Sequence, residues 1–377
     1  MCYVGALKAL KELNVEIGSI AGSSVGAVFA SLLASGYSEE EIKDIFLDFN
    51  FNVFRDINIG FSPDLSFSKG ELFLNYLRDK ISLKVFGEKN LPVYFKDLKK
   101  DLFILTTDLT KHTTFVFSKY TTPDVEVAFA VRVSAGMPGL MKPLSFNDSV
   151  LVDGDLSKSR AVWKTDKRLV SGDERVLEFR LEGTSDDTIK NPIDYITTVY
   201  NAFSYLCTSN VIERYGEKDK FDYIVFDTGD LLMIDFSISH AERLKLIELG
   251  YNETVRYFKE NLLHKKTELV PLYKFLKDKI SELKTCLHSN NYSNSYNKIN
   301  EILASSFPVF EKADTVYNTK LLRLKDLIQN SRQKGMFQNN RISKRSDILA
   351  FTEYFEMEID NKIKELQDYI NLYKNYH

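Results

Sequence analysis

The stretch that decides the fold is Ile20-Ala21-Gly22-Ser23-Ser24-Val25-Gly26-Ala27, a Gly-x-Ser-x-Gly frame with Ser24 at its centre. The residues before the frame predict a buried strand over 15–20. The small and apolar residues after it predict a buried helix over 24–34. The frame therefore indicates a serine nucleophile at a strand-to-helix turn. A plain glycine-rich turn at the same junction is the alternative interpretation.

The two frame glycines, Gly22 and Gly26, are expected to keep this turn open, because a Cβ at either position would crowd it. The turn then holds the hydroxyl of Ser24 clear of the sheet. Backbone amides at the start of the helix, that of Val25 first, are the predicted oxyanion donors.

A serine hydroxyl is a weak nucleophile until a base accepts its proton. None of the five histidines has a distinctive sequence setting; they are His112, His240, His264, His288 and His377. A carboxylate is the better candidate, since Asp153 ends an apolar strand over 149–153 and precedes Gly154. At the carboxyl end of a strand, Asp153 faces the usual active-site edge of an α/β sheet.

Around this frame, strands and helices alternate as far as residue 261, which favours an α/β region with a mostly parallel sheet covered by helices. Strands are predicted over 15–20, 102–108, 113–118, 149–153, 176–181 and 221–226. Helices are predicted over 1–13, 24–34, 38–49, 68–81, 124–134, 192–215 and 239–261. From 263 onward only helices are predicted, over 269–287, 296–306, 316–329 and 347–376. We therefore expect two domains, 1–262 and 263–377.

Composition excludes several classes of protein. The 377 residues carry a net charge of −3, which argues against a general nucleic-acid binder. Cys2, Cys207 and Cys286 form no metal-ligand cluster, so we expect no metal site and no other cofactor. Neither a secretory signal nor a membrane-spanning run is recognisable, and we expect a cytoplasmic protein that contacts membranes at most peripherally.

Five segments in order resemble the patatin-like phospholipase family, over about residues 1–260. They are Gly5–Leu10; Gly22–Gly26; Arg132–Gly139 with Pro143; Val152-Asp153-Gly154; and Asp235-Phe236 with Leu246-Ile247 and Gly250-Tyr251. The resemblance implies a lipid acyl hydrolase in which Ser24 is the nucleophile and Asp153 is the direct base, without a histidine. The implied substrate is a phospholipid or related lipid.

The sequence departs from the family pattern at two places. Asp155 stands where the family has Gly or Ala. Its carboxylate either raises the pKa of Asp153 by like-charge repulsion or simply points to solvent. The family's first strand and glycine-rich oxyanion loop lie just before the helix at Gly5, and only Met1–Val4 precede Gly5 here. We therefore expect that strand and loop to be missing, either because the sequence is a fragment of an active parent, which we favour, or because it is an inactive paralogue.

The charge is unevenly distributed along the chain. Residues 263–377 hold 19 Lys and Arg against 14 Asp and Glu, a net of +5, which leaves −8 for residues 1–262. Seven basic residues are candidates for contact with an anionic membrane: Arg323, Lys325, Arg332, Lys334, Arg341, Lys344 and Arg345. Met336 and Phe337 lie among them. A solvated loop is the alternative. A protein partner or activator could bind the amphipathic pattern over 347–376 instead.

These observations leave two functions open. The first is hydrolysis of fatty-acyl esters, of the phospholipase A type, through Ser24 and Asp153. The second is a catalytically inactive lipid- or protein-binding module that acts through its helical region. A small-substrate esterase is less favoured, because such enzymes usually use a histidine.

Overall fold

The computed structural model describes residues 1–49, 68–156, 176–183, 189, 192–215, 221–229, 238–313, 315–332 and 340–374. The chain divides into two compact units. The first comprises Met1–Gly216 and Phe221–Val255, and the second contains Arg256–His377. This division falls a few residues before the predicted boundary at 262, and the two domains 1–262 and 263–377 stay a prediction.

The first unit contains seven described strands: β1 (Ser19–Gly22), β2 (Asp101–Asp108), β3 (Thr113–Ser118), β4 (Leu144–Phe146), β5 (Ser149–Val152), β6 (Val176–Glu182) and β7 (Phe221–Asp227). β2 is the central strand, and all eight of its residues are buried. It pairs with β1, β3 and β5, and β4 pairs with β5. β6 and β7 form a separate two-stranded sheet.

The helices of the first unit are α1 (Cys2–Glu12), α2 (Val25–Ala34), α3 (Glu39–Leu47), α4 (Glu71–Phe86), α5 (Val127–Ser134), α6 (Pro192–Tyr215) and α7 (His240–Arg256). The second unit has a π-helical segment (Tyr257–Leu262) and the helices α8 (Leu263–His288), α9 (Tyr292–Ala313), α10 (Thr315–Asn330) and α11 (Arg345–Lys374). The predicted α/β region followed by an all-helical region is confirmed.

The relative directions of the strands differ from the prediction of a mostly parallel sheet. β1 and β2 are parallel, as are β6 and β7. The pairs β2–β3, β2–β5 and β4–β5 are antiparallel. The described sheet is therefore mixed rather than mostly parallel, because two hairpins contribute to it. One of these hairpins contains β4, a strand of three residues that the sequence did not predict.

The starts of α3 and α4 differ in their capping. Ser38 caps α3: its Oγ accepts from the amide of Glu41, and the Glu41 carboxylate accepts from the amide of Ser38. Ser68 does not cap α4, which begins at Glu71 after Gly70. The Oγ of Ser68 accepts from the amide of Gly70 instead, at 3.1 Å.

The apolar pattern of α11 faces the core of its own unit. Its buried residues pack with those of α8, α9 and α10; they are Ile348, Phe355, Ile359, Ile363 and Leu366. Leu372 remains exposed. The amphipathic pattern is thus accounted for by packing within the helical unit, and it no longer argues for a protein partner. No described helix is long and apolar enough to cross a membrane.

α1 and α7 meet in backbone contact, although they lie at opposite ends of the first unit's sequence. A Cβ built on Gly5 would lie 1.8 Å from the carbonyl oxygen of Ile247, and one built on Gly250 would lie 1.9 Å from that of Cys2. Any side chain at either glycine forces the helices apart. This contact fixes α1, which leads into the strand before Ser24.

We predict that Gly250→Ala lowers the free energy of unfolding by about 1–3 kcal/mol, because the added methyl overpacks the helix contact. Urea-induced unfolding followed by circular dichroism measures the change. Asn252→Ala, at an exposed position on the same helix, is the control and should leave stability nearly unchanged. Equal stability of Gly250→Ala and the parent would contradict the contact.

Candidate functional site

Ser24 occupies a sharp turn between β1 and α2. It is the N-cap residue of α2, with φ 50° and ψ −128°, a backbone conformation that L residues seldom adopt and that surrounding contacts must hold in place. The amide of Ser24 donates to Ser134 Oγ at 3.1 Å, and that hydroxyl donates to the carbonyl of Leu105 at 2.6 Å. The end of α5 therefore fixes the turn to the central strand.

The two frame glycines differ in their surroundings. A Cβ on Gly22 would lie 2.4 Å from the carbonyl oxygen of Gly26, so this position requires glycine. A Cβ on Gly26 would meet no described atom within 4 Å. The expectation of crowding is met at Gly22 and is wrong at Gly26, because the side-chain direction of Gly26 opens into free space.

Asp153 follows β5 and is only 1% exposed. Its Oδ2 accepts a hydrogen bond from Ser24 Oγ at 2.8 Å. Its backbone is held on both sides: its amide donates to Gly136 O at 3.1 Å, and its carbonyl accepts from Thr107 Oγ1 at 2.7 Å. The structure thus brings together the two residues predicted as nucleophile and base.

The turn after Asp153 packs tightly against this pair. A Cβ on Gly154 would lie 2.2 Å from the carbonyl oxygen of Leu105 and 2.9 Å from Ser23 Cβ. The amide of Asp155 donates to Asp153 Oδ1 at 2.9 Å, and Ser23 Oγ donates to Asp155 Oδ1 at 2.5 Å. Asp155 therefore takes part in the site, and a second serine–aspartate contact lies beside the first.

The surroundings make Asp153 a stronger base than an ordinary carboxylate. Burial, reinforced by the negative charge of Asp155, raises the pKa of Asp153 to about 8. The hydrogen bonds from the Asp155 amide and the Ser24 hydroxyl, together with the nearby hydroxyl of Tyr200, act in the opposite direction. A base whose pKa lies near neutrality can both accept and return a proton during a reaction.

Two backbone donors are open at the start of α2. Among the described residues, the amides of Val25 and Gly26 donate to no acceptor, and no side chain caps the helix. Free amides and the positive end of the helix dipole are suited to an oxyanion next to Ser24. The predicted donor Val25 is therefore available.

Neither a histidine partner for Ser24 nor a metal-binding cluster is found among the described residues. His112, His240, His264 and His288 are exposed, and none is hydrogen-bonded to Ser24 or Asp153; His377 lies outside the described residues. Within the described ranges, no group of three His, Cys, Asp or Glu side chains could hold a metal ion.

Three of the basic residues predicted to contact a membrane have partners inside the helical unit. The Arg323 guanidinium lies 5.1 Å from the ring centre of Phe351, and that of Arg332 lies 5.3 Å from the ring centre of Tyr292. Arg345 Nη1 donates to the carbonyl of His288 at 3.3 Å. Lys325 is half-buried, and Arg341 and Lys344 are exposed. Lys334, Met336 and Phe337 lie outside the described residues.

Sequence reasoning missed three contributors to this site. Ser134 belongs to a quoted motif, but its bridge from Ser24 to β2 is a tertiary contact that the motif does not reveal. The contact of Ser23 with Asp155 joins residues that are distant in sequence. Tyr200 of α6 places a buried phenol beside Ser24 and Asp153, and no sequence signal marks it.

The contrast between the frame glycines is testable. We predict that Gly22→Ala costs about 1–3 kcal/mol of unfolding free energy, because its methyl meets backbone atoms. Gly26→Ala should be neutral or stabilising by up to about 1 kcal/mol, since alanine is the better helix former. Thermal and urea unfolding of both variants measure this. Similar losses in the two variants would contradict the geometry of the turn.

Comparison with known proteins finds a family match for the first part of the chain. Residues 1–161 match the family described as patatin-like phospholipase. Uncharacterized protein R571 of Acanthamoeba polyphaga mimivirus is 28% identical over 266 residues, covering 66% of this chain and 86% of that protein. The probable lipid hydrolase 463L of Invertebrate iridescent virus 6 is 27% identical over 157 residues, covering 40% and 54%. The structure of VipD from Legionella pneumophila aligns with a TM-score of 0.44 at 16% identity, covering 96% of this chain and 83% of that one.

Proposed function

Because residues 1–161 belong to the patatin-like phospholipase family, we propose that this chain hydrolyses fatty-acyl esters of phospholipids or related lipids, as a phospholipase A does. Ser24 is the nucleophile and Asp153 is the base. The observation that carries the proposal is the 2.8 Å hydrogen bond from Ser24 Oγ to the buried Oδ2 of Asp153.

In the first half-reaction, Ser24 Oγ attacks the ester carbonyl carbon while its proton passes to Asp153. The carbonyl oxygen becomes an oxyanion that accepts hydrogen bonds from the amides of Val25 and Gly26. The intermediate collapses, the ester C–O bond breaks, and the leaving alcohol takes the proton from Asp153. The fatty acyl group is then bound to Ser24.

The second half-reaction repeats these steps with water. Asp153 accepts a proton from the attacking water, the amides hold the second oxyanion, and the bond to Ser24 Oγ breaks. Ser24 recovers its proton from Asp153, and the fatty acid leaves. One carboxylate serves both halves because its raised pKa suits it to accept and return a proton.

The alternative is an inactive lipid- or protein-binding module. Two features of the site favour hydrolysis over it. Ser24 is held in a strained conformation by specific hydrogen bonds, and the buried carboxylate of Asp153 has its charge disfavoured by burial and by Asp155. Costly arrangements of this kind are typical of catalytic sites.

We predict that Ser24→Ala and Asp153→Asn each lower the rate of phosphatidylcholine vesicle hydrolysis by at least about a thousandfold, because each removes an indispensable part of the reaction. Release of fatty acid measures the rate. Ser35→Ala, at the other end of α2, is the control. Persistence of hydrolysis in Ser24→Ala would contradict the assignment of the nucleophile. A parent chain without activity would favour the inactive module.

The pH dependence follows from the raised pKa of Asp153. Only the ionised carboxylate accepts the Ser24 proton, so kcat/KM should rise with pH and level off above about 8. Asp155→Asn removes a negative charge that disfavours ionisation of Asp153, so the rise of kcat/KM in this variant should move to lower pH. The pH profiles of kcat/KM for a soluble ester, in the parent and the variant, measure both effects. A profile unmoved by Asp155→Asn would contradict this role of Asp155.

Docking on anionic lipid remains a further part of the proposal. Charge reversal of the exposed residues Arg341 and Lys344 should weaken sedimentation with phosphatidylserine vesicles, because each cation near such a surface contributes about 1 kcal/mol. Lys89→Glu with Lys99→Glu, also exposed, is the matched control for total charge. Equal sedimentation of the two double variants would leave no role for the basic segment.

A further inference from the structure

We propose that Tyr200 is a positioning residue of the Ser24–Asp153 pair. After a small rotation of its side chain, its phenol donates a hydrogen bond to the carboxylate of Asp153 and keeps that carboxylate directed at Ser24. The inference rests on the proposed function, because the position of Asp153 matters for catalysis only if the pair reacts.

One face of α6 brings Tyr200 to the site. Ile196, one turn earlier, packs over Gly139, where its Cγ2 lies 3.0 Å from the position of a glycine Cβ. Cys207, two turns later, donates from Sγ to the carbonyl of Leu156 at 3.5 Å. The same helix face therefore contacts both the loop after α5 and the turn that follows Asp153, and Tyr200 lies between these contacts.

The phenol of Tyr200 is buried and lacks a conventional partner. The residue is 4% exposed. Its hydroxyl makes no hydrogen bond of standard geometry with any described group, yet it lies beside the side chains of Asp153 and Ser24. A buried hydroxyl without a partner is unfavourable, and a rotation of the side chain toward the carboxylate would supply one.

The charges around the phenol fix the direction of the hydrogen bond. Among the described residues, the titratable groups that face it are Asp153, at the end of β5, and Asp155, from the following turn. Burial and these two carboxylates raise the pKa of Tyr200 well above its ordinary value. The phenol stays protonated under all ordinary conditions, so it is the donor and the carboxylate is the acceptor.

A donor at this position opposes the two influences that disfavour the charge on Asp153. Burial and Asp155 raise the pKa of Asp153, and the Tyr200 hydroxyl lowers it. Removing the phenol oxygen should therefore leave a smaller fraction of Asp153 ionised at neutral pH. The deficit should shrink at high pH, where the carboxylate ionises without help.

Tyr200→Phe in the full chain tests the inference by NMR of carboxyl-labelled aspartate, with the Asp153 signal assigned through Asp153→Asn. We expect the titration midpoint of Asp153 to rise by about 0.5–1 pH unit, as the loss of one hydrogen bond to a charged form implies. The rising limb of kcat/KM should move by the same amount, with KM nearly unchanged. Tyr195→Phe, on an exposed position of α6, should change neither.

An unchanged midpoint in Tyr200→Phe overturns the inference. If that variant does not fold, 3-fluorotyrosine at position 200 replaces it. The fluorinated phenol is a stronger hydrogen-bond donor, so it should lower the titration midpoint of Asp153. A rise in that midpoint would overturn the inference. The two proposals fail separately: a shifted midpoint in a chain that hydrolyses no lipid supports the contact and contradicts the proposed function.

Discussion

The site depends on one constraint: a buried carboxylate must lie within hydrogen-bonding distance of a serine in a strained turn. Burial disfavours the charge on Asp153, and nearby donors limit that cost. The surrounding structure meets the constraint with short backbone contacts. Thr107 and Gly136 hold the backbone of Asp153, and Gly154 lets the next turn approach β2 closely. The strain and the buried charge are costs in stability that the packing around β2 must offset.

The parts of this site that the sequence predicted are those set by local residues. The turn at Gly22–Gly26 is encoded by small residues between a strand and a helix, and Asp153 by its place at the end of an apolar strand before Gly154. The strand before the turn was predicted over 15–20 but lies at Ser19–Gly22, because pairing with β2, rather than the local apolar run, decides which residues extend. The same reason explains the mixed sheet and the unpredicted β4.

The parts that the sequence did not predict are contacts between distant segments. Tyr200 follows Asp153 by nearly fifty residues, and only the packing of α6 brings its phenol to the carboxylate. Gly26 matched a motif, yet the structure leaves space at its side-chain position. In the helical unit, the long apolar pattern over 347–376 was interpreted as a surface for a protein partner, and its burial against α8–α10 accounts for it instead. A periodic pattern shows that a helix face is covered and does not show what covers it.

The most direct test of the central claim is mass spectrometry of the chain after reaction with a fluorophosphonate, an electrophile that captures activated serine hydroxyls. We predict one adduct per chain, on the peptide that contains Ser24. We further predict that the adduct forms much more slowly in Asp153→Asn, because the serine loses its base. Modification of a different serine, or equal labelling with and without the carboxylate, would contradict the claim that Asp153 activates Ser24.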